Sequence, residues 1–237
     1  MNRSFLLLCV GVTVTCTVLC ADPISDLYNT GVDNSGTPLA NNTLGDPHYS
    51  LVAVPNGSTS TILIRTSAGG YPISPSGPYI GDDSLSTWIG PANDYDMSGP
   101  NGSYEYQTTF TLSNDPASAS INGQFSSDNE FLNISLNGVL LGISNGDSGN
   151  FQYWTSFSIG SGSPFVSGIN ILDFYVNNDG GPTALRVEMT GSQSPSVPDS
   201  GPGLALEATL FGLMLAATSV GMRRQLGVWF EFWHAKA

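Results

Sequence analysis

The chain of 237 residues contains only three cysteines, and all three lie within its first twenty residues, at Cys9, Cys16 and Cys20. The rest of the chain therefore cannot form an internal disulfide bond. A folded body must instead be stabilised by its apolar core or by a bound metal ion. The roughly 180 residues that follow these cysteines are enough for one all-β domain with a sizeable core.

Basic residues are also scarce. Residues 22–200 hold seventeen acids but only two arginines, Arg65 and Arg186, which gives a net charge of −15. This balance argues against nucleic acid as a partner, because contacts with phosphates need clustered lysine and arginine. An excess of carboxylates instead favours solubility and provides oxygen ligands for a divalent cation.

Residues 22–191 lack the periodicity of an amphipathic helix and contain short apolar runs that alternate as half-buried strands do. Turn signals such as Asn137-Gly138 separate these runs. The spacing predicts one all-β domain over residues 22–191, an antiparallel β-sandwich or jelly roll. The stretch Tyr71–Gly102, rich in Pro, Gly, Ser and Asp, is predicted to be a long surface loop. The eight predicted strands are Ser50–Val54, Thr61–Arg65, Tyr104–Leu112, Ala117–Phe125, Phe131–Leu136, Phe151–Ile159, Ile169–Val176 and Ala184–Met189.

Residues suited to catalysis are few. Outside the C-terminal tail the only histidine is His48. Together with Asp46 it could form an acid–base pair or ligate a metal, but Asp46-Pro47-His48-Tyr49 is more typical of a turn with local backbone hydrogen bonds. Asp128 and Glu130 imitate a glycosidase carboxylate pair, but such pairs usually face each other across a cleft. We therefore expect that the chain is not an enzyme.

The predicted loop carries the pattern closest to a metal site. Asp82, Asp83, Asp94 and Asp96 supply the hard oxygen ligands that Ca²⁺ requires, although no fixed ligand spacing such as that of an EF-hand is present. These four aspartates are the candidate calcium ligands, and without an ion they would form a solvated acidic loop. No other cofactor is expected. Five aromatic residues on the sandwich could form a sugar-stacking platform or lie in the core: Tyr104, Tyr106, Tyr153, Trp154 and Tyr175.

Residues 1–21 have the features of a secretory signal peptide. Arg3 provides a positive charge, Phe5–Leu19 is apolar, and Cys20-Ala21 offers small residues for cleavage after either position. Lipidation of Cys20 is the alternative interpretation. It is disfavoured because Leu19 is larger than the residue that such a site needs before the cysteine.

The C-terminal region predicts a membrane anchor. Leu204–Met222 has nineteen residues and a single charge, Glu207. At about 1.5 Å per helical residue, this run approaches the ~30 Å thickness of the hydrocarbon layer. Arg223 and Arg224 follow directly, and the positive-inside rule then places residues 223–237 in the cytoplasm and the body outside. Residues 192–203 form the linker between the sandwich and this transmembrane helix, residues 204–222.

The order of motif, span and basic pair resembles the VPDSG variant of the PEP-CTERM sorting domains. Its motif here is Val197, Pro198, Asp199, Ser200 and Gly201, and its basic cluster is Arg223 and Arg224. The resemblance implies that a membrane-embedded exosortase recognises the motif, removes the tail and passes the body to the cell envelope or extracellular matrix. Residues 225–237 continue beyond the usual end of such tails. A GPI-anchor signal is the alternative, but it should end in its apolar segment and not in two arginines and thirteen further residues.

The body is also similar to the sandwiches of other exported proteins that carry such tails. The residues concerned are Trp88, Tyr104–Leu112, Asp128-Asn129, Leu136-Asn137-Gly138 and Gly181–Val187. This similarity implies a jelly roll of the galactose-binding or carbohydrate-binding-module type. Because one sandwich fold serves many functions, the fold alone does not identify the function.

Two functions are therefore expected as alternatives. The first is a structural or adhesive protein of the cell surface or exopolysaccharide matrix. The second is a carbohydrate-binding module, assisted by calcium, that recognises matrix polysaccharide. An exposed row of aromatic residues beside an acidic loop would favour the second.

Overall fold

The computed structural model describes residues 21–55, 64–67, 78–91, 98–113 and 115–195. Its strands are β1 (Asp22–Pro23), β2 (Tyr49–Ala53), β3 (Ile64–Thr66), β4 (Ile89–Pro91), β5 (Gly102–Leu112), β6 (Ser120–Asp128), β7 (Phe131–Leu136), β8 (Val139–Leu140), β9 (Thr155–Ile159), β10 (Gly168–Asn178) and β11 (Ala184–Gln193). The six-stranded sheet has the order β3-β4-β11-β6-β9, with β1 also paired to β11. The five-stranded sheet has the order β2-β5-β10-β7-β8. All pairings are antiparallel, which confirms the predicted β-sandwich.

The long pair of β5 and β10 shows how the sequence specifies the sheet. In β5, every second residue from Tyr104 to Leu112 is buried, and the residues between them are half-buried or exposed. In β10, Leu172, Phe174 and Val176 are buried on the matching positions. Because side chains alternate between the two faces of a strand, this register brings both apolar sets to the same face of the sheet.

The core lies between the sheets and takes residues from both. Phe125 of β6 and Phe131 of β7 stack with their ring centroids 3.7 Å apart. Phe157 of β9 meets Phe174 of β10 edge to face at 6.4 Å. Each such pair adds about 0.5–1.5 kcal/mol to the free energy gained by burial. Aromatic packing across the sheets thus stabilises a body that has no cysteine.

Two of the predicted strands begin too early. Ala117 lies in a 3₁₀ turn at Pro116–Ser118, where the side chain of Asp115 accepts a hydrogen bond from its N–H at 3.0 Å. A second 3₁₀ turn, Asn150–Gln152, precedes β9. Local side-chain bonds of this kind compete with strand pairing. Phe131–Leu136 is β7, as predicted, whereas β1, β4 and β8 are too short to show an alternating pattern.

The prediction of a surface loop over Tyr71–Gly102 is wrong for the part from Ser86 to Pro91, which is buried. Trp88 and Ile89 have no exposed surface. The indole N–H of Trp88 donates to the carbonyl of Ile80 at 2.7 Å, and the ring forms a second small core on the outward side of the six-stranded sheet. The polar composition of the stretch does not predict this burial, because only its few apolar residues pack into the core.

Residues 24–32 run along the edge of β11 in the interval between β1 and β4. The N–H of Thr30 donates to the carbonyl of Val187 at 3.1 Å. The side chain of Asn29 accepts a hydrogen bond from the N–H of Met189 at 2.8 Å. This segment therefore completes the edge of the sheet without being a regular strand.

Within the described residues, no helix is long and apolar enough to cross a membrane. Residues 1–20 of the predicted signal peptide, the motif at 197–201, the span at 204–222 and the basic pair at 223–224 lie outside the described residues. They remain predictions from the sequence.

Candidate functional site

Asp82 and Asp83, two of the candidate calcium ligands, lie in the segment that covers the outward side of the six-stranded sheet. Oδ1 of Asp82 accepts a hydrogen bond from the N–H of Trp88 at 2.7 Å, and Oδ2 accepts one from Oγ of Ser67 at 3.2 Å. Oδ2 of Asp83 lies 2.9 Å from Nη2 of Arg186. Both carboxylates therefore already have donors from the protein.

The electrostatics of the two aspartates differ. Burial raises the pKa of Asp82, against a backbone hydrogen bond and the charge of Arg186. Burial also acts on Asp83, but backbone hydrogen bonds and Arg186 together outweigh it, so the pKa of Asp83 is lowered. Among the described residues, no group of three or more His, Cys, Asp or Glu is placed to hold a metal ion. Asp94 and Asp96 lie outside the described residues, so the calcium site remains a prediction.

Arg186 of β11 anchors this segment to the sheet, and only 1% of its side chain is exposed. Nε donates to Oγ of Ser86 at 2.7 Å, and Nη1 donates to the carbonyl of Gly81. Nη2 also lies 3.3 Å from Oε1 of Glu188. The guanidinium carbon is 4.8 Å from the ring centroid of Trp154, a cation–π distance. These contacts make Arg186 a structural anchor.

The carboxylates of Asp128 and Glu130 have different partners. Asp128 is 2% exposed, and its Oδ2 accepts a hydrogen bond from the hydroxyl of Tyr79 at 2.7 Å. Oε2 of Glu130 instead accepts one from Nδ2 of Asn177 at 2.9 Å. Burial raises the pKa of Asp128 to about 6, the Tyr79 hydroxyl opposes this shift, and the charge of Glu130 adds to it. Asp128 is thus a buried titratable group at the end of β6.

Asp46–Tyr49 form the local turn that the sequence favours. Oδ1 of Asp46 accepts hydrogen bonds from the N–H groups of His48 and Tyr49 at 2.8 and 3.0 Å, and Oδ2 accepts one from the N–H of Gly31 at 2.7 Å. The carboxylate therefore bonds to backbone. The His48 ring stacks on Tyr28, with centroids 3.5 Å apart and planes inclined by 7°.

The five aromatic residues considered as a sugar platform do not form one row. Tyr104 and Tyr106 are completely buried in the core. Trp154 lies against an arginine of the six-stranded sheet, whereas Tyr175 is half-buried on the outward face of the other sheet. Tyr153 is 41% exposed and belongs to the segment that leads into β9. The sequence identified residues that the fold then separates.

A polar cluster lies on the outward face of the five-stranded sheet. Asp173 of β10 is 4% exposed there. Its Oδ1 accepts a hydrogen bond from Nε2 of Gln107 at 2.8 Å, and its Oδ2 accepts one from Oγ of Ser135 at 2.7 Å. The hydroxyl of Tyr175 lies 3.3 Å from a carboxylate oxygen of Glu105. The cluster links β5, β10 and β7, and its bonds are mainly internal.

A groove crosses the outward side of the six-stranded sheet. It consists of two adjoining cavities of about 280 and 360 Å³, which share Asn29 and Met189 as lining residues. We name this surface the amide groove after four amide side chains that line it, Asn29, Asn34, Asn122 and Gln124. Its other polar lining residues are Ser25, Tyr28, Ser35, Glu188 and Thr190. Small-molecule binding sites usually have volumes of about 300–1,000 Å³, so the larger cavity lies at the lower end of this range.

The floor of the amide groove consists of cross-strand pairs between β6 and β11. Asn122 lies opposite Thr190, and Gln124 lies opposite Glu188. Nε2 of Gln124 donates to Oε2 of Glu188 at 2.8 Å, which fixes this pair.

The amide groove could not be recognised in the sequence. Tyr28 precedes the first long strand, whereas Asn122 and Thr190 belong to strands that are neighbours only in the folded sheet. No motif connects them, and amide or hydroxyl side chains on the outward positions of a strand are ordinary for a solvated face. Only the pairing of β6 with β11 brings these residues together.

No protein-family model matches the chain, and no curated protein matches it.

Proposed function

We propose that the chain is an exported β-sandwich protein with a structural or adhesive role at the cell surface or in the extracellular matrix. The observation that carries this proposal is the order of the motif Val197–Gly201, the apolar run Leu204–Met222 and the pair Arg223-Arg224. The leader at residues 1–21 agrees with export. The tail anchors the chain in the membrane, and an exosortase-type enzyme then cleaves near the motif.

The ends of the sandwich support this arrangement. Asp22 pairs with Gln193, and Pro23 pairs with Ser192. The first and last residues of the body are therefore neighbours at one edge of the six-stranded sheet. The points at which the predicted leader and tail join the described body are therefore close together.

The strand order supports the jelly-roll form of the sandwich. From β4 to β11 the chain changes sheet at every step except the hairpin of β7 and β8. Eight antiparallel strands divided between two sheets in this way are typical of jelly rolls. β11 extends to Gln193, two residues into the predicted linker at residues 192–203, and the rest of that linker leads to the proposed membrane span.

The sorting proposal is tested by replacing Pro198 and Asp199 with alanine and fractionating the cells. The proline fixes an extended backbone before the span, and the aspartate provides a charge at the membrane surface. The variant should stay in the membrane at full length, whereas a matched Pro195→Ala variant should be processed normally. Mass spectrometry of the mature wild-type protein should find a C-terminus near Ser200. An intact C-terminus on most mature molecules would mean that the tail is only a membrane anchor and is not cleaved.

The second candidate function is carbohydrate binding, and the amide groove is the observation that favours it. Calcium assistance through Asp82, Asp83, Asp94 and Asp96 is part of this candidate, and it has a separate test. Ca²⁺ should then raise the melting temperature, because a ligand of the folded state alone stabilises that state. Replacing Asp94 and Asp96 by asparagine should remove most of the rise, while Asp115→Asn should not.

A further inference from the structure

We propose that the amide groove is the binding site for a neutral polysaccharide chain, an inference that rests on the second candidate function above. The groove consists of two adjoining cavities of about 280 and 360 Å³, and Asn29 lines both. A single compact ligand would occupy one cavity, whereas a chain of repeating units can lie across both. The shape therefore favours a polymer over a single small molecule.

The side chains of the groove favour sugar hydroxyls as their partners. An amide offers both donors and an acceptor, and a hydroxyl does the same. Asn122 and Thr190 face each other across β6 and β11, both are exposed, and neither side chain makes a hydrogen bond to the rest of the described chain. They are therefore available to a ligand whose groups are also donors and acceptors at once.

The charges exclude an anionic polymer as the preferred ligand. None of the residues that line the groove in the described structure is Lys, Arg or His. The single carboxylate, Glu188, already accepts hydrogen bonds from Ser86 and Gln124 at 2.9 and 2.8 Å. Since residues 22–200 carry a net charge of −15, a polyanion would also be repelled over a longer range. A neutral chain meets no such cost.

Tyr28 supplies the apolar contact that a pyranose ring needs. Its ring is stacked on His48 at 3.5 Å, and its hydroxyl donates to the carbonyl of Asn34 at 3.2 Å. The ring is thus fixed before any ligand arrives, so binding does not have to restrict its side-chain rotamers. The ring forms one wall of the smaller cavity.

The test is affinity electrophoresis of the full-length chain in a neutral detergent, in gels that contain a β-glucan, a galactomannan or a xylan, with alginate as the anionic comparison. At least one neutral polysaccharide should retard the wild-type chain more than alginate does. The double variant Asn122→Leu, Thr190→Val keeps the shapes of the side chains and removes their hydrogen bonds. It should bind about tenfold more weakly or worse. The matched double variant Thr109→Val, Thr111→Val changes the other sheet and should bind as the wild type does.

Tyr28 provides a second arm. Tyr28→Ala should lose the retardation, and Tyr28→Phe should keep most of it, because the stacking face remains. A thermal melt of each variant identifies any loss of folding, and Tyr28→Phe keeps the test valid if the alanine variant does not fold.

The outcomes separate the two levels of the proposal. If both the double variant Asn122→Leu, Thr190→Val and Tyr28→Ala are still retarded, the glycan binds elsewhere on the protein. That result would overturn the amide groove as the binding site and leave carbohydrate binding as a function standing. Absence of retardation by every neutral polysaccharide, or stronger retardation by alginate, would overturn the groove as a neutral glycan site. The sorting result with Pro198 and Asp199 does not depend on either.

Discussion

Arg186 and Asp83 form an ion pair at 2.9 Å in which the two partners have very different surroundings: 1% of the arginine side chain is exposed, against 48% of the aspartate side chain. The arginine must give up nearly all of its hydration, whereas the aspartate keeps about half of its contact with solvent. Because the aspartate is half exposed, the attraction between the two charges by itself contributes little to the free energy of unfolding. Its role is to compensate a buried charge that also anchors Ser86 and Gly81.

Replacing Arg186 by methionine should lower the free energy of unfolding by on the order of 3 kcal/mol, because the segment loses its anchor and neighbouring carboxylates lose their counter-charge. Urea denaturation followed by circular dichroism measures this change. Arg65→Met is the matched control. Arg65 is half-buried in β3 and donates to Oδ1 of Asn42 in an exposed hydrogen bond of 2.6 Å, so its replacement should cost less, about 1–2 kcal/mol. Equal effects of the two replacements would contradict the anchor role of Arg186.

Asp128 should make the protein less stable as the pH rises from about 4 to about 6. Its pKa is raised to about 6 from the ordinary 3.8, so the folded state holds the proton that the unfolded state has already released. The stabilisation is complete below the ordinary pKa and is lost as the pH passes the raised one, at a cost of up to about 3 kcal/mol. Asp128→Asn should be more stable than the wild type at pH 7.5 and equal to it at pH 4, by urea denaturation at each pH.

Asp83 should have the opposite pH dependence. Its lowered pKa means that its contribution is present above the ordinary value of 3.8 and is lost as the pH falls. Asp83→Asn should therefore reduce the loss of stability in acid and have no advantage at neutral pH. If Asp83→Asn and Asp128→Asn changed the pH profile in the same direction, the assignment of the two carboxylates would be wrong.

The part of the fold that the sequence could predict is the part that depends on alternation. Tyr104–Leu112 is long enough for every second side chain to mark the buried face, and β5 contains it. Trp88 and Ile89 belong to a strand of three residues, which is too short for such a pattern. They are buried against β11, where Ile89 pairs with Leu185 and Trp88 packs with Ala184, and this strand is far away in the sequence. Tertiary contacts of this kind are not visible in local composition.

The candidate sites were less predictable for a related reason. Asp82 and Asp83 have the carboxylate oxygens that calcium requires, yet in the fold Asp82 accepts a hydrogen bond from the N–H of Trp88 and Asp83 pairs with Arg186. Asn122 and Thr190 carried no signal at all, since their proximity is created by strand register. A local acidic pattern therefore does not show which carboxylates already have donors from the protein, and a groove assembled from separate strands is missed.

Gly31 should not tolerate a side chain. Its φ is +65°, and a Cβ atom would lie 1.7 Å from Oγ1 of Thr87. Gly31→Ala should therefore cost more than about 3 kcal/mol, since overpacking adds to the cost of the left-handed backbone. Gly36 is the matched control, because its φ is +79° but no atom lies within 4 Å of an added Cβ. Gly36→Ala should cost only about 1–2 kcal/mol. Thermal denaturation of both variants tests whether the loss of stability comes from the clash with Thr87 or from the backbone conformation. Similar losses for Gly31→Ala and Gly36→Ala would rule out the clash.

The side chain of Asn137 should contribute to the free energy of unfolding beyond its role in the turn. Its φ is +52°, as expected for the Asn-Gly turn, but its side chain also holds the connection before β10. Nδ2 donates to the carbonyl of Pro164 at 2.8 Å and to Oδ1 of the buried Asn170 at 2.9 Å, while Oδ1 accepts from the N–H of Ile171 at 2.9 Å.

Asn137→Gly keeps the backbone conformation and removes all three hydrogen bonds, so the free energy of unfolding should fall by about 1–3 kcal/mol. Asn42, with φ of +61°, lies on an exposed turn and is the matched control. Asn42→Gly removes a single exposed hydrogen bond, the one that Oδ1 of Asn42 accepts from Arg65 at 2.6 Å, and should cost about 1 kcal/mol. Both variants tolerate a positive φ equally well, so urea denaturation compares the three hydrogen bonds of Asn137 with the single exposed one of Asn42. A loss at Asn137 no larger than that at Asn42 would mean that the side-chain bonds contribute nothing beyond the turn.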